Sequence, residues 1–111
     1  MTRIKIAAAQ LPHVNYDVAG NIQRSVQAVQ EAASMGAKLV LLPELSSTGY
    51  IFHTELWEMA EVLETGPTVT ALKQVAMSCD ISVGCTILEA RGNETNGCFD
   101  FFNNILVKCI L

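Results

Sequence analysis

Four aliphatic residues in succession, Leu39 to Leu42, run directly into Pro43 and Glu44. Such a run, entered from Lys38, leaves no polar face and fits a strand covered on both sides in a sheet interior. Proline lacks the N–H that ladder pairing requires, so the strand spans Lys38 to Leu42 and stops there. Glu44 is thereby placed at the carboxyl end of a buried strand. Ile4, Ile6, Ala7, Ala8 and Ala9 are equally poor in polar faces and predict a first covered strand from Arg3 to Ala9.

Between these strands Val18, Ile22, Val26, Val29 and Ala33 recur at helical steps, while Gln23, Arg24, Gln27, Gln30 and Glu31 face away. Asp17 suits the N-cap, and Gly36 a left-handed C-terminal cap, so this helix should end near Met35. Residues 45–54 have a loop composition, followed by a short helical pattern from Glu55 to Leu63. Gly66-Pro67 opens a further helix whose apolar stripe is Val69, Leu72, Val75 and Ala76, ending near Cys79. Ile81 to Leu88 then reads as a strand, Arg91 to Gly97 as a polar turn and Phe101 to Leu111 as a last strand. The order β-α-β-α-β-β predicts an α/β fold. Helical crossovers join its first three strands, and its fourth returns through a hairpin.

With 111 residues the chain makes one domain at most. Strands this apolar need two covered faces, and two long helices plus a short one cover little more than one. The expectation is that residues 1–111 are the amino-terminal portion of a larger domain. The sequence stops inside an apolar strand, which favours this over an open face closed by another subunit.

Charge and composition exclude several classes. Seven Lys and Arg, scattered singly against eleven Asp and Glu, give a net charge of −4 and no basic patch for a nucleic-acid partner. Uninterrupted aliphatic runs reach four residues, far short of the ~20 that cross a bilayer. The apolar stretch after Arg3 and Lys5 is broken at Gln10, too soon for a secretory signal, so a cytoplasmic protein is expected. Cys79, Cys85, Cys98 and Cys109 sit in apolar settings and read as buried thiols. His13 and His53 lie in loops, and no Cys-x-x-Cys or His-x-x-x-His pair occurs, so no metal is expected. Glycine-rich phosphate loops are missing, so no nucleotide cofactor is expected either. Trp57, Met59 and Leu63 read as a helix face on the core, and Met35 and Met77 as gap fillers.

Ligands in open α/β sheets collect at the carboxyl ends of strands, and a carboxylate held there beside apolar walls is partly desolvated, which suits a general base. The stretch Gly36 to Tyr50 combines Gly-Ala, an aliphatic run, Pro43-Glu44 and Thr48-Gly49-Tyr50. It closely resembles the glutamate motif of the nitrilase, or carbon-nitrogen hydrolase, superfamily. The strand Ile4 to Gln10, Asn21 early in the first helix, Gly66-Pro67-Thr68 and Phe102-Asn103-Asn104 extend the resemblance over roughly residues 4 to 107. The resemblance implies a four-layer α-β-β-α sandwich that pairs into homo-oligomers. It also implies a Glu-Lys-Cys triad acting on non-peptide carbon-nitrogen bonds of small amides, nitriles or carbamoyl compounds. Glu44 takes the glutamate position and Tyr50 that of a tyrosine lining the substrate pocket. No cofactor is implied. Without the resemblance, Tyr50 reads as a half-buried ring packing its loop onto the sheet with its hydroxyl bonded to backbone.

The triad's other members do not match. Lys108 follows Asn104 too closely for the family's lysine, and Cys98-Phe99-Asp100 echoes the nucleophile motif at the wrong place, before the last strand. The segment Glu94 to Cys98 reads as an insertion in a hairpin that the family keeps shorter. Three readings follow. The first is the amino-terminal part of a hydrolase whose lysine and cysteine lie elsewhere. The second is a non-catalytic module that pairs with itself or a full-length relative through its open face. The third is a rearranged fold in which Cys98 or Cys109 supplies the nucleophile.

Overall fold

A computed structural model describes residues 2–50, 54–93 and 98–109, with side-chain surroundings for 2–50, 54–56 and 58–90. Its elements are β1 (Ile6–Ala8), α1 (Val18–Ser34), β2 (Leu39–Leu41), a 3-10 turn (Thr54–Met59), α2 (Pro67–Cys79), β3 (Ser82–Asn93) and β4 (Cys98–Cys109). They form one four-stranded sheet in the order β1-β2-β3-β4. The first two pairings are parallel and the third antiparallel, as the element order predicts. Ala7, Val40 and Val83 stand side by side across the first three strands and turn toward both helices. There Val40 and Val83 meet Val29 of α1 and Val69, Leu72, Val75 and Ala76 of α2, all buried.

The other face of β1 and β2 is bare. Ile6 is 65% exposed and Leu41 43% exposed, so the expectation that both strands are covered on both sides is not met within these residues. Two helices cover one layer, and β1 forms the sheet edge.

In α1 the predicted stripe is shifted. The fully buried line is Asn21, Ser25, Val29 and Ala32, while Val18, Ile22, Val26 and Ala33 are half-buried at its sides. Small and polar residues hold the closest approach, because that line faces a neighbouring loop as well as the sheet. The ends follow expectation. Asp17 Oδ1 accepts from Gly20 N at 3.2 Å, and Gly36 adopts φ +88 beyond Met35, a left-handed conformation that glycine takes without steric cost. Met35 and Met77 are not gap fillers, being 64% and 63% exposed at the end of α1 and the outer side of α2.

β3 runs five residues past Leu88, and β4 begins at Cys98, three residues before Phe101. Pairing from Val83↔Cys109 to Asn93↔Cys98 continues through polar residues, with an irregularity between Ile87 and Glu89. Antiparallel backbone pairing does not need apolar side chains, so hydropathy underestimates both strands. The predicted turn falls partly on residues 94–97, outside the described residues, as do His53 and the side chain of Trp57. Cys85 is buried as expected and Cys79 half-buried; the side chains of Cys98 and Cys109 lie outside the described set.

The region read as a helix from Glu55 to Leu63 is a 3-10 turn followed by an extended stretch. Glu61 bridges β3, its N–H donating to Leu88 O at 2.9 Å and its carbonyl accepting from Ala90 N at 2.8 Å. Its buried carboxylate reaches the first turn of α2, accepting from Thr68 N at 2.7 Å on Oε1 and from the Thr68 hydroxyl on Oε2. A carboxylate there meets N–H groups that have no partner inside the helix. Gly66 leaves it room, since a Cβ at that position would lie 2.6 Å from Glu61 Oε1. Replacing Glu61 with Ala strands a buried N–H, and is expected to lower the unfolding free energy by about 2 kcal/mol in urea titration. An unchanged midpoint would mean that the cap contributes nothing.

Candidate active site

β2 keeps its ladder to the last possible residue. Ala9 N donates to Leu41 O at 2.9 Å and Leu42 N to Gly84 O at 2.8 Å; Pro43 then has nothing to donate. Glu44 opens the turn over residues 44–48, so it does follow the carboxyl end of the predicted strand. Its side chain is exposed. The apolar walls expected to desolvate it are not supplied by the described residues, and that part of the expectation is corrected.

The backbone that carries Glu44 is closely held. Leu45 adopts φ 49, a left-handed conformation that costs a branched side chain about 1–2 kcal/mol. Two contacts offset that cost. The Leu45 side chain is buried with Leu56 and Leu88, and its N–H donates to Thr86 Oγ1 on β3 at 2.8 Å. Ser46, Ser47 and Thr48 are buried, and Gly49 N closes the turn onto Leu45 O at 2.9 Å.

From the opposite side comes Asn21, 1% exposed. Its Nδ2 donates to Val14 O at 2.7 Å and to Ser47 O at 2.9 Å. Its Oδ1 accepts from Val14 N at 2.8 Å and from Arg24 Nη2 at 2.6 Å. Both donors and both acceptor positions of the amide are used. Arg24 in turn lies 3.4 Å from Asp17 Oδ2. Tyr16 N adds a bond to Thr48 O at 3.1 Å.

Tyr50 follows on the same loop, 52% exposed, its N–H donating to His13 Nε2 at 3.4 Å. Glu44 and Tyr50 therefore share one loop at the carboxyl edge of the sheet, with His13 beside it. The backbone of Lys108 lies opposite Gly84, which pairs with Leu41, two strands away from β2. Among the described residues no group of three or more His, Cys, Asp or Glu is placed to hold a metal ion. Nor is any helix among them long and apolar enough to cross a membrane. The supports at Thr86, Leu45 and Glu61 were not apparent in the sequence. Asn21 did leave a trace, as the asparagine early in the first helix that extends the family resemblance.

The comparisons agree with this geometry. The carbon-nitrogen hydrolase family profile matches residues 5–107, and the chain belongs to that family. A nitrilase of Pyrococcus abyssi is 33% identical over 92 residues, covering 81% of this chain and 35% of the relative. The chloroplastic omega-amidase of Arabidopsis thaliana is 35% identical over 99 residues, covering 85% and 26%. Among solved structures, Nit3 of Saccharomyces cerevisiae, a member of branch 10 of the nitrilase superfamily, superposes with a TM-score of 0.73 at 27% identity, covering 88% of this chain and 37% of that one. A superfamily protein of Xanthomonas campestris shares the fold with a TM-score of 0.70 at 22% identity, over 93% and 41%. The chain thus has a nitrilase-superfamily α/β fold, as part of the sandwich, and spans between 26% and 41% of the length of these relatives.

Gly49 is the tightest point of the loop. It adopts φ +93, and a Cβ there would lie 2.6 Å from Asn15 Oδ1 and 3.2 Å from Asn15 Cα. Gly49→Ala is expected to cost more than about 1 kcal/mol of stability, through strain and displacement of residues 13–16 together. Thermal unfolding checks this; a melting temperature equal to that of the parent would show that the loop yields freely.

Proposed function

We propose that residues 1–111 form the amino-terminal portion of an enzyme that hydrolyses a non-peptide carbon-nitrogen bond of a small amide, nitrile or carbamoyl compound. Glu44 is its general base, Tyr50 flanks the substrate, and a lysine and a cysteine come from residues outside these 111. The observation that carries this reading is the position of Glu44, one residue after the ladder of a parallel strand is ended by proline, on a turn fixed from several sides.

With an amide, the chemistry runs as follows. A thiol of ordinary pKa ~8.5 is mostly protonated at neutral pH, so Glu44 takes its proton as sulfur bonds to the carbonyl carbon. The lysine ammonium stabilises the negative oxygen of the tetrahedral intermediate. The proton held by Glu44 passes to the departing nitrogen, the C–N bond breaks, and a thioester remains. Glu44 then takes a proton from water as it attacks the thioester, and the acid is released with the thiol restored. The relatives named as omega-amidase and nitrilase make amides and nitriles the first substrates to try.

A second reading has its own observation. Ile4, Ile6 and Leu41 lie exposed at 66%, 65% and 43%, an apolar strip on which a non-catalytic module would pair with itself or a full-length relative. Light scattering on the 111-residue chain separates the two, a well-defined oligomer supporting the module and a monomer arguing against it. The hydrolase reading further predicts no hydrolysis by these residues alone, because triad members act as a unit.

In the complete enzyme, Glu44→Gln is expected to lower kcat by about 10²–10⁴. The same exposed substitution should move the unfolding free energy by no more than about 0.5 kcal/mol. Turnover that survives the substitution would overturn the assignment.

A further inference from the structure

We propose that Thr86 and Asn21 are positioning residues for Glu44, Thr86 by taking over from the sheet where proline ends it and Asn21 by fixing the far side of the same turn. This rests on the reading of Glu44 as the general base. The parallel register pairs Leu41 with Gly84, so residue 43 stands opposite residue 86. Pro43 has no N–H to donate there. Thr86 instead extends its hydroxyl oxygen beyond the broken ladder and accepts the N–H of Leu45 at 2.8 Å.

Glu44 is thereby bracketed. Two residues before it, Leu42 N is bonded to Gly84 O at 2.8 Å; one residue after it, Leu45 is pinned to the next position but one on the same strand. A short backbone arc anchored at both ends on β3 leaves the Glu44 Cα little freedom. The left-handed conformation of Leu45, uncommon for a branched residue, is what this anchoring imposes. Three residues along, Ser47 O is tied to the carboxamide of Asn21, which is itself tied to both the N–H and the carbonyl of Val14.

Apolar contacts fasten the helices to the sheet. The apolar core contains neither Thr86 nor Asn21 and is formed by Val29, Val40, Val69, Leu72, Val83 and their neighbours. Directional bonds from these two polar groups locate the turn that carries Glu44, and a general base needs that, since a misplacement near 1 Å costs about 10²-fold in rate.

The test is a kinetic comparison in the complete enzyme of Thr86→Val, Thr86→Ser and Glu44→Gln. Val keeps the shape of Thr but cannot accept from Leu45; Ser keeps the hydroxyl. Thr86→Val is expected to lower kcat by about 10- to 100-fold with KM within about twofold, and Thr86→Ser to recover kcat to within about threefold of the parent. Asn21→Asp, which retains the acceptor for Val14 N but loses both donations, should lower kcat in the same way; should it not fold, the Thr86 pair decides alone. Parental kcat in Thr86→Val, or a loss that Ser does not recover, overturns the positioning role. Glu44→Gln separates the two failures, because its retention of activity removes the base itself rather than its supports.

Discussion

The carboxamide of Asn21 joins α1 to the loop just before it and to the turn after β2, 26 residues further on. A buried amide left unpaired costs several times what a single paired hydrogen bond contributes, so such a group is tolerated only with its partners in place. Here Val14, Ser47 and Arg24 supply all of them. The entry loop, α1 and the turn after β2 therefore adopt their relative positions together. A shift of any one would strand polar atoms on the other two.

A second polar joint works on the far side of the sheet's carboxyl end. Glu61 pairs its backbone with β3 and its carboxylate with the start of α2, so strand and helix are registered by one residue. Leu45, Leu56 and Leu88 fill the small apolar cluster between these joints. The main core of aliphatic side chains fastens helices to sheet without directional preference. Direction comes from the polar joints, and they are concentrated where Glu44 and Tyr50 leave the sheet. Open α/β sheets in general gather ligands at this end.

Much of the fold was legible because its signals are local. The proline after Leu42, Asp17 before α1, Gly36 after it and Gly66-Pro67 before α2 each act on the backbone next to them, and each element ends where they direct. The buried line of α1 was displaced because hydropathy cannot anticipate that Asn21 faces loop residues with hydrogen-bond demands of their own. Strands β3 and β4 proved longer than their apolar segments because backbone pairing carries them on. At the site, the location of Glu44 was readable but its exposure was not, since burial depends on neighbours from distant sequence. Thr86 and Glu61 left no trace at all: a threonine in a strand and a glutamate in a polar stretch acquire roles only when the chain has folded around them.

The turn bearing Glu44 is held in place by bonds formed among the described residues themselves. Native-state hydrogen exchange at the amides of Val14, Tyr16, Leu45 and Gly49 tests it most directly, as these N–H groups make the bonds that define the turn. All four are expected to exchange slowly and to share one opening free energy, close to that of the core amides of β2 and β3. Rapid, independent exchange at Leu45 and Gly49 against a protected core would contradict it.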